Sequence, residues 1–205
     1  MYKLFFKRIL DLLISFAAII ILLPVFIVII ILLYFANQGA GVFFSQERPG
    51  KNEKKFKIFK FKSMNDKRDG KGNLLPDAYR LTKIGRFIRK TSLDELPQLF
   101  NILIGKMSFV GPRPLLNQYL PYYTENERKR HDVRPGLTGL AQISGRNKLD
   151  WDTKLNLDIQ YVESVSFTND LKILMQTFKK VLKREGVIED KVENYLDVER
   201  KKIKK

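Results

Sequence analysis

An apolar run extends from Leu12 to Ala36, in which only Ser15 and Tyr34 are polar. As a straight helix it measures ~37 Å, more than the ~30 Å hydrocarbon core of a bilayer. A signal peptide has a shorter apolar stretch and a small-residue cleavage site, and no such site follows here. A buried core helix is the other alternative, and the length favours membrane insertion over it. Pro24 falls near the middle, where it removes a backbone hydrogen bond and kinks a helix. Each half is then about 18 Å long, close to the depth of one leaflet. Lys3, Lys7 and Arg8 precede the run, and Arg48, Lys51, Lys54 and Lys55 follow it. Basic residues on both flanks ask for the cytoplasmic side twice. The pattern therefore predicts a re-entrant helix that enters and leaves on one face; a tilted span with a proline kink is the alternative.

After this run the period changes. Val42 to Gln46 and Phe56 to Phe61 read as short strands joined by a turn around Arg48-Pro49-Gly50-Lys51-Asn52. Lys60 and Lys62 share one strand face, suited to holding phosphate or to forming a solvated edge. Residues Ser63 to Tyr79 are polar and punctuated by Gly70, Gly72 and Pro76, which predicts a loop, either connector or lid. Leu171, Leu174, Met175, Phe178, Val181 and Leu182 repeat at helical spacing, with Lys172, Lys179, Lys180, Lys183 and Arg184 around them. Such a helix either lies in an anionic membrane interface or packs its apolar face on the core. The fold class expected is α+β and helix-rich. A re-entrant membrane helix-break-helix covers 1–37, a small cytoplasmic domain with amphipathic interfacial helices covers 38–190, and a charge-dense, fraying tail covers 191–205.

Composition narrows the chemistry. The 205 residues carry 38 Lys and Arg against 22 Asp and Glu, a formal net charge of +16, which favours anionic partners. Cysteine is absent and His131 is the only histidine, so disulfides, thiolate metal sites, histidine metal clusters and a Ser-His-Asp triad are set aside. Carboxylates, lysines, arginines and a divalent cation remain.

Three clusters concentrate those groups. In Thr91-Ser92-Leu93-Asp94-Glu95-Leu96-Pro97-Gln98, Pro97 belongs to the first turn of a helix, which puts Asp94 and Glu95 at its N-terminus. There Asp94 serves either as a cap or as an ionised nucleophile and metal ligand. Arg86, Arg89 and Lys90 lie just upstream. In Gly111-Pro112-Arg113-Pro114, two prolines restrict an arginine whose donor fork matches phosphate oxygens. The third cluster runs from Arg134 to Gln142 and on to Gly145-Arg146-Asn147, with glycines that permit tight turns and close backbone approach to a ligand. No P-loop and no dinucleotide-binding glycine pattern is present.

These blocks, together with Arg48-Pro49-Gly50, Lys60-Phe61-Lys62-Ser63-Met64 and Met107-Ser108-Phe109-Val110, occur in one order across nearly the whole chain. The chain thereby resembles the bacterial sugar transferases, the monotopic phosphoglycosyl transferases, in its length the minimal ones. The resemblance implies a magnesium-dependent transfer of a sugar 1-phosphate from a UDP-sugar, an acetamido sugar by preference, to undecaprenyl phosphate, with release of UMP. It places the reaction on the cytoplasmic face of the bacterial inner membrane. It makes Asp94 the nucleophile and magnesium ligand and Glu95 its catalytic partner, with Arg89, Arg113, Lys60, Lys62 and Arg146 on the substrate. It assigns Lys7, Arg8 and Pro24 to the re-entrant anchor. Leu23 stands where minimal members often have serine before the proline, which removes a hydroxyl able to satisfy a freed carbonyl. The implied partners are the nucleotide sugar, the lipid phosphate and the phospholipid bilayer, with no nucleic acid; the oligomeric state is not encoded legibly. Two rivals are a membrane-tethered polyanion binder without turnover and an unrelated magnesium-dependent lipid-modifying transferase that releases no UMP.

Overall fold

The computed structural model describes residues 1–145, 149–183 and 195–203. The chain opens with a π-helical turn at Tyr2–Phe6 that runs into α1 (Lys7–Ala36), which continues through Pro24. An antiparallel hairpin follows, β1 (Phe43–Pro49) and β2 (Lys55–Phe61). β1 reaches three residues past its expected end, and the reversal falls on Gly50–Lys54. The expected loop carries only α2 (Asp77–Arg80) and two isolated bridges, Arg68 with Leu74 and Met64 with Leu81. Next come α3 (Lys83–Lys90), α4 (Gln98–Leu103), β3 (Ser108–Val110), α5 (Glu125–Arg128) and β4 (Gly136–Thr138), with β3 and β4 paired in parallel. The rest is helical: α6 (Leu140–Ser144), α7 (Trp151–Glu163), α8 (Phe167–Leu182) and α9 (Leu196–Ile203). This is a mixed, helix-rich fold with one long apolar helix and a small globular body.

The long helix is not an appendage. Phe26, Ile29 and Leu33 are buried in the principal core with Phe56, Ile58, Phe61, Ile88, Leu99 and Ile102. The Phe26 ring lies 5.6 Å from that of Phe61 and 5.8 Å from that of Phe100. At the other end, Arg8 donates to the carbonyls of Ile102 and Leu103, both at 2.7 Å. Arg8 and Phe26 would be roughly 27 Å apart on a straight helix, yet both meet the six-residue α4. Lys7 pairs with Asp170, Tyr2 donates to the same carboxylate, and the buried Asn37 donates to the carbonyls of Gly41 and Lys62. The globular body therefore lies alongside α1, and the boundary at residue 37 is one of hydropathy, not of packing. The outward face of α1 stays bare, with Ile21 74 % and Leu13 and Phe16 each 55 % exposed.

Two other expectations meet the structure differently. On α8 the buried position is Ile173, with Leu174 packed beside it, while Leu171, Met175 and Phe178 face outward. The charge-dense end contains α9, whose Leu196 is fully buried in a cluster with Tyr119, Trp151 and Leu155, so residues 196–203 are docked.

A two-stranded sheet leaves one edge of β2 without a partner strand, and Asn101 on α4 takes that place. Its Oδ1 accepts from the Phe59 amide at 3.0 Å, and its Nδ2 donates to the Lys57 carbonyl at 2.8 Å. Asn101 is 1 % exposed, so removing its side chain strands two backbone groups at once. Asn101→Ala is expected to lower unfolding free energy by roughly 2–3 kcal/mol, measured by denaturant titration in detergent. A loss below about 0.5 kcal/mol would show that water replaces the clamp.

Candidate functional site

The carboxylate pair sits in a tight turn between α3 and α4. α3 ends where Ser92 takes a left-handed conformation (φ 57°), which reverses the chain. Leu93–Glu95 forms one 3₁₀ turn, and Pro97 immediately precedes α4, so Asp94 and Glu95 stand at its N-terminal end.

Three elements surround the pair. β2 brings Lys60, whose Nζ is 2.8 Å from Glu95 Oε1. The Gly111–Pro114 loop brings Arg113, 3.2 Å from the same oxygen. α3 brings Arg89, whose Nε donates to Ser63 Oγ at 2.7 Å. That contact depends on Gly85, where a Cβ would fall 1.8 Å from the Ser63 carbonyl oxygen. The second glycine-rich cluster supports the first. A Cβ on Gly136 would lie 2.1 Å from the Gly111 amide nitrogen. The close backbone approach expected toward a ligand is thus made by one chain segment to another, and it fixes the loop that carries Arg113. On that loop's other side, the buried Arg130 pairs with Asp158 at 2.6 Å and donates to the Arg113 carbonyl at 2.8 Å.

The two carboxylates differ electrostatically. Burial alone would raise the pKa of Glu95, but Arg113 and Lys60 outweigh it and hold the group at about 2. Asp94 is pushed up to about 6 by burial and by the Glu95 charge, which Lys60, Arg89 and Arg113 offset only in part. Desolvation beside a second carboxylate thus works against the ionised form that a helix N-terminus favours, and α4 is only six residues long. No hydrogen bond or ion pair reaches Asp94 among the described residues, so Glu95 is directly paired and Asp94 is compensated only in part and at a distance.

Two cavities meet at this pair, and both are lined by Lys60, Arg89, Asp94, Glu95 and Arg113. One, of about 540 Å³, is rimmed by Arg48, Lys62, Asp66, Asp77 and Arg80. The other, of about 720 Å³, has a wall of Ala18, Leu22, Phe109, Leu137, Leu174 and Val181.

The structure thus joins Asp94, Glu95, Lys60, Arg89 and Arg113. Lys62 lines the first cavity but is bound to Asp66 and to the Ala40 carbonyl, both at 2.7 Å. Lys7 and Arg8 point into the globular body, and Arg146 lies outside the described residues. Sequence reasoning missed Asp11, Arg130, Asp158 and Asp170. Asp11 is 4 % exposed and accepts from the Phe109 amide at 3.0 Å. A lone acid heading an apolar run was the available signal for it. His131 is 5 % exposed and held down at about 3 by burial and by Arg130, so it remains neutral and outside the chemistry.

The sign of the Asp94 shift gives a test. A folded-state pKa above the unfolded value means that ionised Asp94 costs stability above about pH 6, a cost absent below the ordinary carboxylate range. In metal-free buffer, Asp94→Asn is expected to raise the thermal midpoint at pH 8, with the gain shrinking to nothing by about pH 4. A lowered midpoint at pH 8 would mark Asp94 as a cap.

Comparison with known proteins follows the same residues. Residues 2–184 match the bacterial sugar transferase family. An uncharacterized sugar transferase, EpsL, of Bacillus subtilis is 59 % identical over 73 % of this chain and 74 % of its own length. The undecaprenyl-phosphate galactose phosphotransferase of Salmonella typhimurium is 39 % identical over 89 % of this chain. The UDP-glucose:undecaprenyl-phosphate glucose-1-phosphate transferase of Klebsiella pneumoniae is 38 % identical over 85 % of it. The chain spans 41 % and 40 % of the length of those two relatives. With that coverage and that order of motifs, the chain belongs to the bacterial sugar transferase family.

Proposed function

We propose that this chain transfers a sugar 1-phosphate from a UDP-sugar to undecaprenyl phosphate at the cytoplasmic face of the bacterial inner membrane, releasing UMP, with Asp94 carrying the sugar phosphate between two steps. The observation that carries the reading is the inequality of the carboxylate pair: Glu95 is held by two cations, and Asp94 is half-buried, without a direct ion pair among the described residues, and open to both cavities. The Salmonella and Klebsiella relatives supply the reaction class, with galactose and glucose as their sugars. The donor class is a UDP-hexose, and an acetamido hexose is the version that the sequence resemblance favours.

In the first step an Asp94 oxygen attacks the phosphorus that bears the sugar. The bond from that phosphorus to the bridging oxygen breaks, and UMP departs. In the second step an oxygen of the lipid phosphate attacks the same phosphorus, and the Asp94 carboxylate leaves. Arg89, Arg113 and Lys60 hold the phosphate oxygens and draw off the developing charge. Glu95, ionised throughout the neutral range, keeps Lys60 and Arg113 in place and donates no proton.

The donor set suits magnesium. Hard carboxylate oxygens from Asp94 and Glu95 would take one part of its shell, and substrate phosphates and water the rest. When bound, the ion neutralises phosphate charge and assists departure of the nucleotide.

The same reading gives the membrane its place. Residues 2–36 are long and apolar enough to cross a bilayer, but a body docked along the helix cannot sit beyond one end of it. We therefore read α1 as entering and leaving on one face. The outward Phe167, Leu171, Met175 and Phe178 of α8, flanked by Lys172, Lys179 and Lys180, would lie in the same interface.

The test is intact-protein mass spectrometry after mixing enzyme, magnesium and UDP-sugar without lipid. Wild type is expected to gain one sugar phosphate, mapped to Asp94, with free UMP appearing. Asp94→Asn is expected to gain none, and Glu95→Gln to lose roughly 100-fold or more in rate while remaining folded. UMP release that requires lipid, or turnover by Asp94→Asn, would contradict the covalent step.

A further inference from the structure

The two cavities that meet at Asp94 and Glu95 differ in chemistry: one is ringed by charged side chains and the other is walled largely by hydrocarbon. Around the first stand Arg48, Lys62 and Arg80, interleaved with Asp66 and Asp77. Two of these cations are already tied to the acids, Lys62 to Asp66 at 2.7 Å and Arg80 to Asp66 at 3.4 Å. That surface suits a polar, hydrogen-bonding ligand with several charges.

The second cavity lies between two helices whose far faces are bare. Ala18 and Leu22 of α1 form part of its wall, and their neighbours Ile21 and Leu23 are 74 % and 53 % exposed. Leu174 and Val181 of α8 form another part, and beside them Met175 and Phe178 are 55 % and 65 % exposed. Apolar surface thus continues from the outside of both helices to the chamber. At the inner end are Asp94, Arg89 and Arg113, the groups that handle phosphate. Of the polar remainder, Arg130 is paired with Asp158 and Thr138 with Thr177 at 2.7 Å. Gln142 donates to the Leu137 carbonyl at 3.0 Å and leaves its Oε1 without a partner among the described residues. A hydrocarbon chain bearing one terminal phosphate matches this gradient, whereas a nucleoside would set its polar edges against leucine and valine.

We propose that the α1/α8 chamber is the acceptor subsite, holding the first isoprene units of the lipid phosphate, and that the charged cavity on the opposite side of Asp94 receives the nucleotide. The inference rests on the transfer reaction proposed above and adds the side from which each substrate arrives. The lipid enters laterally between α1 and α8, its phosphate leading, while the nucleotide comes and goes through the charged mouth. Both phosphates reach Asp94 without sharing an entrance, which suits a reaction in which the nucleotide leaves before the lipid attacks.

The two half-reactions separate the claims. Leu174→Trp and Ala18→Phe put bulk into the chamber away from Asp94, and Leu174→Met is the conservative companion. UMP release without acceptor reports both folding and the first step; transfer to undecaprenyl phosphate in detergent reports the second. The bulky variants are expected to raise KM for the lipid at least about tenfold while UMP release stays within about twofold of wild type, and Leu174→Met is expected to behave as wild type in both. An unchanged lipid KM in both bulky variants overturns the assignment, as does a rise in KM for the UDP-sugar instead. If a bulky variant loses UMP release as well, Leu174→Ala, which enlarges the chamber, decides by the same criterion, a lipid KM shifted at least about threefold with UMP release retained. Absence of UMP release in wild type even with lipid present would instead refute the transfer reaction itself.

Discussion

A helix of six residues has no stability of its own, and this molecule depends on holding one in place. α4 is too short to satisfy most of its own backbone groups. At its C-terminal end, Arg8 takes the carbonyls of Ile102 and Leu103, and Arg134 takes that of Gly105 at 2.9 Å. Along its side, Asn101 replaces a missing strand beside β2. Ahead of its first turn stand Asp94 and Glu95. The groups that do the chemistry are therefore only as well placed as the far end of α4, and that end is gripped by the first turns of the apolar helix. Docking of α1 against the globular body and placement of the carboxylate pair become one structural event.

The site follows from that frame by charge. β2, held to α4 by Asn101, delivers Lys60 to Glu95, and two glycine-rich segments packed against each other deliver Arg113. Both cations satisfy Glu95, which leaves Asp94 as the carboxylate with the higher pKa and an open face. Neighbouring acids pushed apart in this way take on different tasks. A half-buried carboxylate without a direct ion pair costs stability at neutral pH, as is expected where function opposes stability.

Much of this was legible in the sequence because the informative residues are local. The Leu93 to Gln98 block carries its own turn chemistry, and the strand period put Lys60 and Lys62 on one face. Long-range pairings were not legible. Lys7 and Asp170 are 163 positions apart, and Arg8 caps a helix 94 positions away; no periodicity announces such contacts. Arg130 was hidden in a basic run that resembles a solvated face, although it is 2 % exposed. The glycines of the Arg134-to-Gln142 run signalled close approach correctly, but not that the partner was Gly111. On α8 the apolar spacing was read correctly, yet spacing does not say which apolar residues face the core, and Leu171, Met175 and Phe178 do not.

The central claim is that α1 and the globular body share one side of the bilayer, so that the membrane delivers lipid directly to the carboxylate pair. The absence of cysteine makes the measurement clean. One cysteine is appended ahead of Met1 and another is introduced as Gln38→Cys, each alone, and intact cells are treated with a membrane-impermeant thiol reagent before and after permeabilisation. Both positions are expected to stay unlabelled until the membrane is opened. Labelling of either one in intact cells, with the other protected, would put the two ends of α1 on opposite faces and contradict the account.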